Sequence, residues 1–385
     1  MAVSLLGHEV SDLCLGKPPL RSLSVSAKVG DALSVLKRNG DSYLSVWSCD
    51  HFNICLEDCQ CIGKVCMMDI VCFLCKQENL LNPSAALESP VSVLVPKNSG
   101  IVRHLEPHAS LLEAIDMILE GAQNLVIPLH HHSSTRKKLL LQKPSFNTIL
   151  HNHREYCWLT QEDIIRYLLN SISIFSPSPI QAINSLNIID TDDILAVRYD
   201  DPALSALPLL SQSLTRQTSV AIVDDGKIIG EISPFTINAC DETVAAAIAT
   251  LSAGDLMAYI DCGGPPEDLI RLVKERLEDR KLGAASELMG EEYGLSWSSY
   301  SSSSDEESGS ILGRSGRLGG YSARVGRRSE AIVCYPWSSL VAVMIQALAH
   351  RVSYVWVVED DGTLAGIVTF TGMMTVFREC LYSTA

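Results

Sequence analysis

Apolar residues along this chain come in short runs separated by amphipathic stretches, and the same order returns four times. "SYLSVW", "NLVIPL", "TSVAIV" and "SYVWVV" read as strands, dense in β-branched and aromatic side chains. Ahead of each lies an apolar helical pattern with an alanine in a fixed place: Ala32 in "VGDAL", Ala114 in "LLEAI", Ala206 in "ALSAL" and Ala342 in "SLVAV". Behind each comes another strand-like run that gives way to helical spacing. "CWLTQEDIIRYLL" shows the change most clearly. Cys157, Trp158 and Leu159 are apolar, Thr160 stops the run, and Ile164, Ile165, Leu168 and Leu169 then recur at helical intervals. In the last two copies "DDGKIIG" and "DDGTLAG" join the two strands, and Asp-Gly between apolar runs signals a hairpin. Each unit therefore predicts strand, helix, strand, strand, helix, and the chain an α/β fold built by internal repetition.

The junction between the last strand and helix carries a second signature. "GKVCMMD" places Gly63, Cys66 and Asp69 at equal intervals of three, and "CWLTQED" places Cys157, Thr160 and Asp163 likewise. "GEISPFT" gives Gly230, Ser233 and Thr236; "GIVTFTG" gives Gly366, Thr369 and Gly372. Ala206 precedes Gly230 by the same distance as Ala342 precedes Gly366, while the first two copies hold longer insertions, one of them containing His130, His131 and His132. A hydroxyl followed three residues later by a carboxylate is the pattern of a capping box. The same place on a helix, with free amides and a positive dipole end, also suits a ligand. The residues alone leave both readings open.

Composition narrows the classes. The 385 residues suffice for two or three ordinary domains, and a hydrophobic fraction of 47% permits sizeable cores. A net charge of −15 argues against nucleic acid and against an anionic membrane surface as partners. The most apolar stretch, Leu340 to Val358, is interrupted by Gln346, His350 and Arg351, so no membrane span is expected. The N-terminus resembles neither a secretory signal nor a transit peptide, which points to a cytoplasmic location with the nucleus as the alternative. No nucleophile elbow, Walker loop or zinc-protease motif occurs, and no enzymatic activity is expected.

Of the 13 cysteines, Cys49, Cys55, Cys59, Cys61, Cys66, Cys72 and Cys75 crowd one region together with His51. Outside a secretory context they predict reduced thiols. A zinc reading needs a second pair at ligand spacing beside the C-x-x-C of Cys72 and Cys75; Cys59 and Cys61, one residue apart, do not supply it. Cysteines on apolar faces act as small hydrophobes. The expectation is therefore packing and no metal, with a redox or zinc protein as the weaker alternative; "HNH" at 151–153 reads as loop.

"VSYVWVVEDDGTLAGIVTFTGMM" closely resembles the cystathionine-β-synthase (CBS) repeat, and the resemblance extends over nearly the whole chain. Four such copies look like the plant four-repeat CBS proteins, similar to the gamma subunits of AMP-activated and SnRK-type kinases. The resemblance implies an α/β fold of four CBS repeats (β-α-β-β-α) paired into two Bateman modules: repeats at 1–80, 88–172, 186–262 and 331–385, with an insert at 265–330. It also implies a non-enzymatic regulatory module that binds AMP, ADP, ATP or S-adenosylmethionine and modulates a partner, a kinase subunit or another regulated enzyme. In that family the Ser/Thr and the Asp of the junction meet the ribose, a role that suits an acceptor-only carboxylate. Carried over, the ribose residues are Thr160, Asp163 and Asp69, with Cys66 a poor replacement for the hydroxyl. Ser233, Thr236 and Thr369 are degenerate positions, and Arg103, Arg154, Arg198 and Arg351, with His104, are the phosphate candidates. The alternative is an adaptor whose clefts have lost their ligand.

Within the insert, "PPEDLIRLVKERLEDRKL" predicts an amphipathic helix. The Ser- and Arg-rich stretch after it has too few apolar residues to offset ordering entropy and predicts disorder. There Ser301, Ser302, Ser303 and Ser304 precede an acidic run, which makes them candidate phosphosites.

Overall fold

The computed structural model describes residues 8–39, 42–49, 59–96, 100–129, 151, 154–261, 265–289 and 329–383. Ser301 to Ser304, the predicted disordered stretch and the triple histidine lie outside the described residues.

Among the described residues four three-stranded sheets recur with one topology. Each repeat runs strand, helix, strand, strand, helix. The first is β1 (Ser22–Ser24), α1 (Val29–Asn39), β2 (Leu44–Trp47), β3 (Cys61–Val65) and α2 (Met67–Leu74). The second is β4 (Val102–His104), α3 (Leu111–Leu119), β5 (Asn124–Pro128), β6 (Tyr156–Thr160) and α4 (Gln161–Asn170). The third is β7 (Ala196–Arg198), α5 (Leu207–Arg216), β8 (Val220–Asp224), β9 (Lys227–Ile232) and α6 (Pro234–Asn238). The fourth is β10 (Val333–Cys334), α7 (Leu340–His350), β11 (Tyr354–Val358), β12 (Leu364–Thr369) and α8 (Phe370–Ser383). The first two strands of every sheet are parallel, joined by the crossover helix; the last two form the antiparallel hairpin. The middle strands β2, β5 and β11 are buried along their whole length, as strands covered on both faces must be.

Sheets and helices find their partners in different directions. The sheets of repeats one and two meet over Trp47, Cys61, Val102, Val126 and Tyr156. Those of repeats three and four meet over Ala221, Trp356 and their neighbours. The helices pack across the modules instead. One core joins α1 and α2 to repeat three, and the other joins α3 and α4 to α7 and α8. Arg378 holds Asp116 across the second contact, with Nη2 at 2.9 Å from Oδ2, and Lys37 pairs with Glu242 across the first at 2.9 Å. The four repeats thus close a ring of alternating sheet and helix interfaces.

The helices that follow α6 extend the first of these cores. The helix Thr243–Thr250 is buried on all sides, and its alanines let α2 and the helix Glu267–Asp279 approach closely. The predicted amphipathic helix is the latter, with Val273 and Leu277 fully buried.

The glycines that open the junction motif mark close crossings. A Cβ on Gly366 would stand 2.5 Å from Ile189 Cγ2 and 2.8 Å from Asp190 O, because the linker between modules pairs with β12 at Ile367. A Cβ on Gly63 would meet Val95 at 2.7 Å. Cys157 holds the same place in repeat two, with its side chain against Cys14 of the N-terminal segment.

One buried carboxylate ties β9 to the fourth repeat. Glu231 is fully buried; its Oε1 accepts from Tyr354 Oη at 2.8 Å and its Oε2 from Trp356 Nε1 at 2.8 Å. Truncation to alanine would strand both donors and leave a void. Glu231→Ala is expected to lower unfolding stability by roughly 2–4 kcal/mol, read from urea denaturation. A loss below about 0.5 kcal/mol would show that the interface does not rely on this carboxylate.

Candidate functional site

All four junction motifs act as helix caps. Thr160 Oγ1 accepts from Asp163 N at 3.3 Å while Thr160 N donates to Asp163 Oδ2 at 2.7 Å. Ser233 and Thr236 form the same reciprocal pair, at 3.1 and 3.0 Å. Cys66 N donates to Asp69 Oδ2 at 2.8 Å, and Gly372 N donates to Thr369 Oγ1 at 3.2 Å. The local reason is common to all: a strand ends in extended backbone and the helix that follows begins with unsatisfied amides.

What separates the four is what else reaches them. Asp163 also forms an ion pair with Lys17, whose ammonium donates to Trp158 O at 2.7 Å as well. The segment carrying Lys17 lies along repeat two, with Leu20 N donating to Tyr156 O at 2.7 Å. Asp163 is therefore engaged by the chain's own N-terminal segment.

Asp69 faces a cavity of about 540 Å³ at the centre of the ring. Repeat one supplies Tyr43, Lys64, Asp69 and Lys76 to its wall. Repeat three supplies Ser211, Gln217, Ser233 and Phe235; repeat two Gln123; and repeat four Arg351, Ser353 and Tyr354. The rim is knotted by hydrogen bonds between repeats: Gln217 Nε2 donates to Gln123 O at 3.0 Å, and Ser353 Oγ donates to Gln217 O. Gln217 and Arg351 occupy the same place in their repeats, each ending its helix in the left-handed region (φ 54° and 56°). That turn carries Arg351 to the cavity, where its guanidinium has no hydrogen-bond or ion-pair partner among the described residues.

The electrostatics of the wall are lopsided. Among the described residues of the wall, Lys64, Lys76 and Arg351 stand against a single carboxylate, Asp69. Lys64 Nζ donates to Asn124 Oδ1 at 2.6 Å and lies 4.6 Å from the centroid of the Tyr43 ring. Burial pushes its ammonium down to about 8. Burial likewise pushes the Asp69 carboxyl upward, against the opposing pull of the Cys66 amide.

The remaining candidates fall elsewhere. Arg103 pairs with Glu120 at 2.7 Å. His104 accepts at Nε2 from Cys61 N at 3.0 Å. Arg154 and Arg198 are exposed, and Thr236 and Thr369 serve their caps without lining the cavity. Of the residues singled out in the sequence, the cavity gathers Gly63, Cys66, Asp69, Cys72, Ser233 and Arg351; it does not gather Thr160 and Asp163. Sequence reasoning passed over Tyr43, Lys64, Lys76 and Gln217. Lys64 was the visible signal, a charge inside the apolar run "CIGKV" where the other copies place Trp158, Glu231 and Ile367.

Residues 329–379 match the family model of the CBS domain. The chain is 50% identical to the CBS domain-containing protein CBSX5 of Arabidopsis thaliana over 394 residues, 99% of each chain. It belongs to the family of CBS domain-containing proteins. It is also 23% identical, over 99% of its length and 97% of the relative's, to the SNF1-related protein kinase regulatory subunit gamma-like PV42b of Arabidopsis thaliana. Among solved structures it resembles protein MJ1225 of Methanocaldococcus jannaschii, described as a putative archaeal homologue of the AMPK gamma subunit. The TM-score is 0.56 with 15% identity, covering 96% of this chain and all of that one, a likeness of fold. The four sheets are thus four CBS repeats, and the pairs sharing a sheet interface are two Bateman modules.

The cap role of Asp163 is open to measurement. Asp163→Ala removes the reciprocal cap and the Lys17 pair together, and is expected to lower stability by about 1–2 kcal/mol in thermal or urea unfolding. An unchanged midpoint would mean that neither contact holds the N-terminal segment to repeat two.

Proposed function

We propose that this CBS protein is a non-catalytic regulatory module whose central cavity takes an anionic adenine nucleotide. The observation that carries the reading is the cavity wall itself, where all four repeats meet and the described residues set three cations against one recessed carboxylate. Asp69 is placed to accept from ribose hydroxyls, Tyr43 and Phe235 offer aromatic faces to a base, and Lys64, Lys76 and Arg351 suit phosphates. A volume of about 540 Å³ lies within the usual range for small-molecule sites. The excess of positive charge favours AMP, ADP or ATP over S-adenosylmethionine, whose sulfonium and ammonium are cations. The likeness to a gamma-like kinase regulatory subunit supports a protein kinase of the SnRK type as the partner whose activity follows occupancy.

The adaptor reading draws on a specific observation too: every junction motif is already satisfied within the chain, and Asp163 is further engaged by Lys17. Ligand binding separates the two. At a hundred times its dissociation constant a nucleotide should stabilise the protein by ~2.7 kcal/mol. Asp69→Asn and Arg351→Gln should each weaken binding by roughly 1.5–3 kcal/mol, while Asp163→Ala should leave calorimetric affinity within about twofold. If no nucleotide shifts the melting curve, the adaptor reading stands.

The pH dependence has a definite sign. Lys64 is charged below about 8 and neutral above it, so nucleotide affinity should fall as pH rises through about 8. In Lys64→Met that step should disappear. A wild-type affinity flat from pH 7 to about 9 would remove Lys64 from the site.

A further inference from the structure

Described residues bordering the undescribed stretches of the first two repeats form a cluster apart from the central cavity. Cys49 follows the end of β2, Cys59 precedes the start of β3, and His151 pairs its backbone with Arg154 just ahead of β6. The ligating atoms of these three residues all lie within 4.8 Å of one another. Cys49 Sγ stands 3.2 Å from His151 Nδ1. The imidazole is 2% exposed and stacks on Trp47 with ring centroids 3.6 Å apart and planes 7° from parallel, so its orientation is fixed by packing. Cys49 and Cys59 are half-buried against the same small apolar cluster that joins the two sheets.

We propose that Cys49, Cys59 and His151 hold a zinc ion that clips the outer ends of the first two sheets together. Zn–S distances of about 2.3 Å and Zn–N distances of about 2.0–2.1 Å define a tetrahedron with edges of about 3.6–3.8 Å. Cys49 Sγ and His151 Nδ1, 3.2 Å apart, are close to that edge, and all three donor atoms lie within 4.8 Å of one another, within reach of side-chain rotation. Two thiolates and an imidazole form a soft and borderline donor set, which suits zinc and disfavours magnesium or calcium. Two thiolates also neutralise the dication, so the charge cost of a half-buried site is small. They supply three of the four positions of a tetrahedral ion. On loading, each cysteine thiol releases its proton to solvent and the imidazole enters neutral; no electron moves, and affinity rises with pH.

The proposal departs from the expectation that the cysteines serve packing alone. That expectation searched for ligand pairs close in sequence, whereas here one ligand comes from another repeat. Cys66 and Cys75 behave as the expectation held, buried in the helical core with their thiols pushed well upward by burial. The clip would sit at the far end of the β2–β3 hairpin from Lys64 and Asp69, and so would steady the strand that carries Lys64 into the cavity.

Elemental analysis of the full chain, purified without chelator, should find one zinc per chain. Cys49→Ser, Cys59→Ser and His151→Ala should each cut that to a minor fraction, while Cys75→Ser should keep it. Cobalt(II) added to the demetallated wild-type protein should give the intense visible bands of a tetrahedral thiolate site, with two protons released per ion in weakly buffered solution. Cys49→Ser should weaken the thiolate charge-transfer band and the Cys49→Ser, Cys59→Ser double variant should abolish it, with circular dichroism confirming that both variants keep their fold. Zinc at background level with no cobalt spectrum would overturn the proposal, as would a Cys49–Cys59 disulfide found in the freshly purified protein or cobalt bands that persist in the Cys49→Ser, Cys59→Ser double variant.

Discussion

A three-stranded sheet backed by two short helices has more apolar surface than one repeat can cover. The whole architecture follows from that deficit. Trp47 and Val126 in one module, and Trp356 and Ala221 in the other, are buried because the facing sheet belongs to another repeat. The helices meet the same shortage and resolve it across the modules, where α2 finds α5 and α6, and α8 finds α3 and α4. Two kinds of interface set at different angles close a ring, and a ring has a middle. The cavity is the space left where four repeats, none shaped to fill the centre, come together.

Much of this was legible from the chain. The alternation of short apolar runs with helical spacing fixed every sheet, and the regular offset from Ala206 to Gly230 and from Ala342 to Gly366 aligned the copies. The glycines of the junction motif carried real information about backbone approach, as the crossing beneath Gly366 shows. The central wall was harder to read. Arg351 reaches it only because its helix ends in a left-handed turn, and Lys64 only because a strand turns one face inward; neither fact has a periodic signature. Cys49, Cys59 and His151 were invisible as a group because they belong to two different repeats and meet only through space.

Duplication also makes divergence measurable within one molecule. The third-strand position after the motif's first residue is Lys64, Trp158, Glu231 and Ile367 in turn. Lys64 reaches Asn124 and Glu231 reaches Tyr354, and those partners hold equivalent places at the start of the facing middle strand. One backbone frame has thus been given a cation lining a cavity in one module and a sealed carboxylate in the other. The first keeps a group that can answer to solutes. The second spends its charge on internal order, at the desolvation cost that only full hydrogen bonding offsets.

Residues 289 and 329, on either side of the undescribed stretch, are both firmly held. Met289 is buried in the first helical core, while Ser329 accepts from Glu231 N at 2.8 Å and donates its own amide to Asp261. With both ends anchored, lengthening the chain between them changes closure entropy only logarithmically. This makes the position a docking port in the evolutionary sense: sequence can be gained, lost or exchanged there while the ring around the cavity stays as it is.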